Sequence, residues 1–278
     1  METLGGQALV EGVMVISPKR VAFAVRTLKN SIKIKVERRH RLAQRYRRVP
    51  FVRGALALWE MLALGTKGLM WSADQSTEDK EEKLSTAAIT WTIIFSFVFG
   101  ILLFVAVPFY AAKLITGNHW LFNILDGIFR IAMFLSYLLI ISRMKDVKRL
   151  FQYHGAEHMA IHCYEHKKKL TKENVMRFTT LHPRCGTAFL FIVLLLSIFL
   201  FSLIYAKFWL WKFLLRIAIM PVIAIVSYEL LKLGARFPKN LILRALVKPG
   251  LWFQKITTRQ PDEKQIEVAI ASVKAVLR

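Results

Sequence analysis

Hydrophobic and polar residues alternate near the start of the chain. Val21, Phe23 and Val25 share a period of two. So do Ile32, Ile34 and Val36, with Lys33, Lys35 and Glu37 pointing the other way. This is the pattern of half-buried strands. Ser17-Pro18-Lys19 and Lys29-Asn30-Ser31 predict turns between them. The preceding stretch, GGQALVEGVM at 5–14, is a glycine-punctuated opening suited to a tight backbone site. Gln7 and Glu11 there either reach a metal or substrate or satisfy turn backbone. Residues 1–53 therefore read as a β-rich basic segment.

Beyond it the alternation gives way to apolar runs. Residues 54–72, GALALWEMLALGTKGLMWS, are interrupted by Glu60, Gly65, Lys67 and Gly68. The pattern predicts an interfacial or partly embedded helix and not a full span, and 54–86 is assigned to that helix and an acidic linker. Four long apolar stretches follow, at 87–115, 120–142, 188–206 and 213–231. Pro108 predicts a kink near the far end of the first. Asp126 and Arg130 lie one helical turn apart in the second. Unpaired charge is costly in a bilayer, so they are expected to contact each other or another helix. Residues 87–142 form a first transmembrane hairpin and 188–231 a second, with a His/Cys loop at 143–187 between them. In the tail, 232–278, Pro261, Asp262 and Glu263 open a helix with the apolar stripe Ile266, Ile270, Val273 and Leu277. That helix is expected to dock on the cytoplasmic part. The expected fold class is an α-helical integral membrane protein: four transmembrane helices in two hairpins, an interfacial helix and a small cytoplasmic α+β part.

Composition sharpens this picture. The chain is 55% hydrophobic yet carries a net charge of +23. Its basic residues flank the apolar spans and form no face of a soluble domain, so no specific nucleic-acid partner is expected. Sixteen Lys and Arg precede the first span, ten lie in 143–185 and ten follow the fourth. The two short connections, around Lys113 and around Lys207 and Lys212, have one and two. The positive-inside rule then puts both termini and the histidine loop in the cytoplasm. Arg38, Arg39, Arg41, Arg45, Arg47, Arg48 and Arg53 are expected to meet anionic headgroups of membrane lipids, at about 1 kcal/mol per cation. The only cysteines, Cys163 and Cys185, imply no disulfide framework. The first residues lack the basic and apolar regions of a cleavable signal peptide. Homo-oligomerisation is left open.

Candidate chemistry is concentrated in one stretch. Five of the seven histidines lie between 154 and 182. His154-Gly155-Ala156-Glu157-His158 has the H-x-x-E-H order of inverted zinc hydrolases. On a helix it puts two imidazoles on one face, where they can share an ion, with a carboxylate beside them to act on its water. A divalent metal, zinc first, is the expected cofactor, at about one ion per chain. His154 and His158 are the first ligands; His162, His182, Cys185 and Glu229 are candidates for the third. Glu157 is the candidate general base, and Arg184 is placed to balance an anionic substrate or oxyanion. His166, next to Lys167-Lys168-Lys169, is expected to face water. The bland alternatives are a solvated histidine face and a Glu229 that merely pairs with Lys232 or an arginine.

The motifs GGQALVEGVM, VPFVRG (49–54), YHGAEH (153–158), HPRCGT (182–187), SYELLK (227–232) and TTRQPDEKQIEVAIA (257–271) resemble, in order, the YqhQ family. These are uncharacterised membrane proteins of the bacterial cytoplasmic (inner) membrane, described as predicted metal-dependent enzymes. The resemblance implies that His154, Glu157, His158, His182 and Cys185 belong to a shared pattern. The expected function is a zinc-dependent hydrolase at the cytoplasmic face, acting on a lipid-linked or membrane-peptide substrate. The alternatives are a metal-stabilised, non-catalytic scaffold and, third, a metal transporter.

Overall fold

The computed structural model describes residues 2–39, 45–46, 48–76, 86–237 and 239–278. The expectations for Arg41, Arg47 and the linker at 77–85 lie outside them.

Four strands form an antiparallel meander in chain order: β1 (Gly5–Leu9), β2 (Gly12–Ile16), β3 (Arg20–Arg26) and β4 (Ile32–Arg38). The expected turns are where the chain reverses. Ser17 Oγ accepts the Arg20 amide at 3.0 Å, and Asn30 takes a left-handed φ of 59°. Glu11, at φ 52°, turns β1 into β2. Asn tolerates that region; Glu does so only where the hairpin requires it.

Alternation here serves two buried faces. Val13, Val15, Ala22 and Ala24 face one core, while Met14, Ile16, Val21, Phe23 and Val25 face another. The second is covered by Leu64 and Trp71 of α1 (Val52–Ser76). α1 packs through its small residues: a Cβ on Gly68 would press on Leu9 and Phe23, and one on Gly65 would overlap the Gln7 amide. The glycines that interrupt its apolar sequence thus face the sheet, and the helix runs longer than 54–72. Trp59 on its outer side is 71% exposed.

Among the described residues, three apolar helices are long enough, by length and composition, to cross a membrane, and they mark the chain as a membrane protein. The first, over 87–115, comprises α2 (Thr86–Ile101), a π-helical turn at Leu102–Ala106, and α3 (Val107–Ile115). That widened turn immediately precedes Pro108, whose missing N–H cannot serve a regular helical ladder. The others are α4 (His119–Ile141) and α8 (Trp209–Arg236). Between them α7 (Gly186–Ser202) is as apolar but only 17 residues long. Asp126 pairs with Arg130 at 3.1 Å, as expected, and also with Arg216 of α8 at 2.9 Å.

α5 (Lys145–Glu165) and α10 (Glu263–Leu277) cover the other sheet face. α10 buries Ile266, Ile270 and Val273 as expected; Val276, in place of Leu277, completes the stripe. Arg26 of β3 fastens α10 through Glu267 at 2.7 Å. A short helix α6 (Lys172–Val175) follows α5, and α9 (Leu241–Thr257), which sequence periodicity did not reveal, lies along α7. Gly250 permits that approach, since a Cβ there would meet the Ala188 backbone.

Candidate metal centre

α5 carries the chemistry on one stripe. His154, His158, His162 and Glu165 recur at three- to four-residue steps, and Glu157 sits beside them. The helix is polar on this face because it is not packed on the sheet there; the segment 176–185 crosses it. Lys167 ends the helix at a left-handed φ of 56°, and the Lys168 amide returns to the Cys163 carbonyl at 3.1 Å. That reversal sends the chain back over its own histidines.

The crossing segment and the end of α9 supply backbone carbonyls. His154 Nδ1 donates to the Thr257 carbonyl at 2.9 Å, and His158 Nδ1 to the Thr180 carbonyl at 2.5 Å. A carbonyl only accepts, so both rings hold the proton on Nδ1 and keep the Nε2 lone pair free. His154 Nε2 lies 3.1 Å from Cys185 Sγ. Ligand atoms of His154, His158 and Cys185 fall within 4.8 Å of one another. Cys185 also caps α7, its sulfur accepting from the Thr187 amide at 3.5 Å and hydroxyl at 3.3 Å. Burial pushes its thiol pKa up, and the Thr187 donors oppose this.

Glu157 is buried beneath β1, and a Cβ on Gly6 would overlap its carboxyl group. Burial pushes its pKa up to about 8; the His154 charge would lower it and a Cys185 thiolate would raise it. Burial holds His158 well below the usual imidazole range. The 3.5 Å contact between His158 Nε2 and Glu157 Oε2 therefore joins two neutral groups at neutral pH and is not an ion pair.

Other candidates gather separately. His162 Nε2 meets the Leu181 carbonyl at 2.8 Å, and its ring lies 4.6 Å, centre to centre, from that of His182. His182 faces Glu165 at 3.4 Å, and its backbone is held at both N–H and C=O by the Gln254 side chain. His162 and His182 thus leave the expected single cluster and join Glu165 in a second one. His182 and Cys185, three residues apart, are split because the Cys185 amide closes a turn on the His182 carbonyl.

The remaining candidates have partners of their own. Glu229 belongs to neither histidine cluster among the described residues: Arg53 grips it, with Nε at 2.8 Å from Oε1, as a helix-end pair. Arg184 pairs with the Glu165 carboxylate. Arg39 and Arg53 are paired with Glu60 and Glu229. Glu11 meets α5, accepting from Arg149 and, at 3.1 Å, from the Tyr153 hydroxyl. His166 is exposed, as expected.

A family model described as "Protein of unknown function (DUF1385)" matches residues 49–278. The chain belongs to the DUF1385 family. It is also 34% identical over 294 residues to the "Uncharacterized protein YqhQ" of Bacillus subtilis (strain 168), covering 99% of this chain and 92% of that one. No solved structure matches. The DUF1385 match contains every residue of both clusters; the sheet that roofs Glu157 lies before its first residue. Among these residues, Glu165, Thr180, Thr257 and Gln254 escaped the sequence reading. Glu165 continues the α5 stripe and was legible by spacing. The carbonyls and Gln254 had no signal, because they act through tertiary contacts.

Proposed function

We propose that this protein is a zinc-dependent hydrolase at the cytoplasmic face of a bacterial inner membrane, acting on a lipid-linked or membrane-peptide substrate. One observation carries the reading: two backbone carbonyls take the Nδ1 protons of His154 and His158, so both Nε2 lone pairs are available beside Cys185 Sγ. Carbonyl-held imidazoles are the usual outer support of metal ligands. Three protein ligands leave a tetrahedral ion one open position, the pattern of catalytic sites. A zinc ion held there would supply Lewis-acid polarisation and a more acidic water. Glu157 holds the proton. Burial keeps its carboxyl neutral; a divalent ion beside it would favour the ionised form, the form able to act as a base. Thr187 orients the Cys185 sulfur, and the strand at Gly6 covers Glu157 from the side of the sheet.

For the membrane arrangement, α7 is the fourth crossing. Its 17 residues reach about 25 Å, slightly short of a bilayer core, and the Cys185 cap then lies at the membrane surface. The two hairpins leave both termini and the metal centre in the cytoplasm, which the distribution of Lys and Arg supports. The exposed Trp59 side of α1 supports an interfacial position for that helix.

A structural ion is the competing reading. It is favoured by the way Thr180 and Thr257 already bind the rings to the crossing segment and α9. Glu157→Gln separates the two. It preserves shape and removes the basic carboxylate. For the hydrolase, the purified variant retains its metal yet fails to complement a deletion strain. Normal complementation with metal retained would sink the catalytic reading and leave the structural one.

A further inference from the structure

We infer a second divalent-cation site on the same helix, two turns from the first, formed by His162, Glu165 and His182. It goes beyond the ion on His154, His158 and Cys185 and stands or falls separately. Ligand atoms of the three side chains lie within 4.8 Å of one another.

The hydrogen bonds around the three side chains leave an acceptor atom on each. His162 Nε2 donates to the Leu181 carbonyl at 2.8 Å, so Nδ1 carries the lone pair. That Nδ1 is buried and has no hydrogen-bond partner among the described residues. A buried acceptor left so is costly, and a cation satisfies it. Arg184 takes Oε1 of Glu165, leaving Oε2 turned towards His182 Nε2 at 3.4 Å. Arg184 is thus a positioning residue for Glu165. His182 Nδ1 accepts the Arg184 amide at 3.2 Å, so without an ion its Nε2 holds a proton shared towards Glu165. A divalent ion on Nε2 takes the place of that proton, which leaves to solvent. Gln254 pins the His182 backbone on both sides, at 2.7 and 2.8 Å, which limits how far the ligand can drift.

Two imidazoles and one carboxylate suit a first-row transition ion with open coordination positions, and suit magnesium or calcium poorly. The His158 and His182 rings are 5.5 Å apart, centre to centre, so the two ions would be neighbours. This revises the expectation of about one ion per chain.

Cobalt(II) tests this in the full-length chain, purified in detergent and stripped with chelator. Elemental analysis counts the ions, and a thiolate-to-cobalt charge-transfer band reports the Cys185 site alone. The wild type should bind two equivalents. His162→Asn and Glu165→Gln should each bind half as much and keep the band, which also shows that the fold and first site survive. Cys185→Ser should lose the band and keep the second ion. Unchanged cobalt in both His162→Asn and Glu165→Gln would overturn the second site while leaving the first intact. Loss of bound cobalt in these variants from a wild type that never shows the band would uphold it and overturn the first.

Discussion

Gly155 stands between His154 and Glu157, and its missing side chain leaves room for the backbone that holds the site together. A Cβ there would overlap the Arg259 carbonyl oxygen and lie 3.1 Å from Thr180 Cγ2. The Arg259 amide is itself bonded to the Phe151 carbonyl at 2.9 Å, so the segment cannot retreat freely. Gly155→Ala should therefore destabilise by about 1–3 kcal/mol, the usual range for overpacking. It should also weaken metal binding, because Thr180 carries the carbonyl that sets His158. Thermal unfolding of purified Gly155→Ala beside Gly186→Ala checks this. No atom of the described residues crowds a Cβ at Gly186, so that variant should unfold near the wild-type temperature. Equal midpoints for the two would refute the close contact at Gly155.

At the scale of elements, α10 shows how local sequence and tertiary packing cooperate. Asp262 accepts the Gln265 amide at 2.8 Å, and Gln265 Oε1 accepts the Asp262 amide at 2.9 Å, a reciprocal capping box. Gln265 Nε2 continues to Gln152 of α5 at 3.3 Å, so the cap also fixes α10 against the histidine helix. Asp262→Ala should cost about 1 kcal/mol. Gln265→Ala should cost more, since it removes both the cap's return bond and the bridge to α5 and leaves a gap in a fully buried place. Chemical denaturation in detergent ranks the two; a Gln265→Ala variant more stable than Asp262→Ala would contradict this coupling.

The whole molecule has two kinds of interior. One is the three-layered packing of α1, the sheet and α5 with α10; the other is the group of apolar helices, where Asp126, Arg130 and Arg216 are buried together. The proposed four crossings make an outcome that does not depend on the metal. Cysteines introduced at Asn118 and Lys207 should react with an impermeant maleimide added to intact cells. Residues on the cytoplasmic side, tested by a cysteine at His166, should react only after permeabilisation. Labelling of the His166 position in intact cells would exclude this arrangement.

The sequence by itself determined the elements whose cause is local or one-dimensional. A period of two gave β3 and β4, and uninterrupted apolar length gave the span at 87–115 with the same limits as in the structure. Spacing of three and four put His154, Glu157 and His158 together on α5. Ambiguity began where one pattern serves two environments. Glycines in α1 read as interruptions of a membrane-facing run, and tertiary packing made them contacts with Gln7 and Leu9. Only the fold could decide which histidines share a site. His182 and Cys185 are neighbours in sequence, yet a tight turn sends one to His162 and Glu165 and the other to His154 and His158. Glu229 shows the same limit from the other side. Its carboxylate was free to serve any cation by sequence, and the approach of α1 to α8 gave it to Arg53. Ring tautomers lay furthest out of reach, because the carbonyls of Thr180, Leu181 and Thr257 that set them are present in every residue and acquire a role only through position.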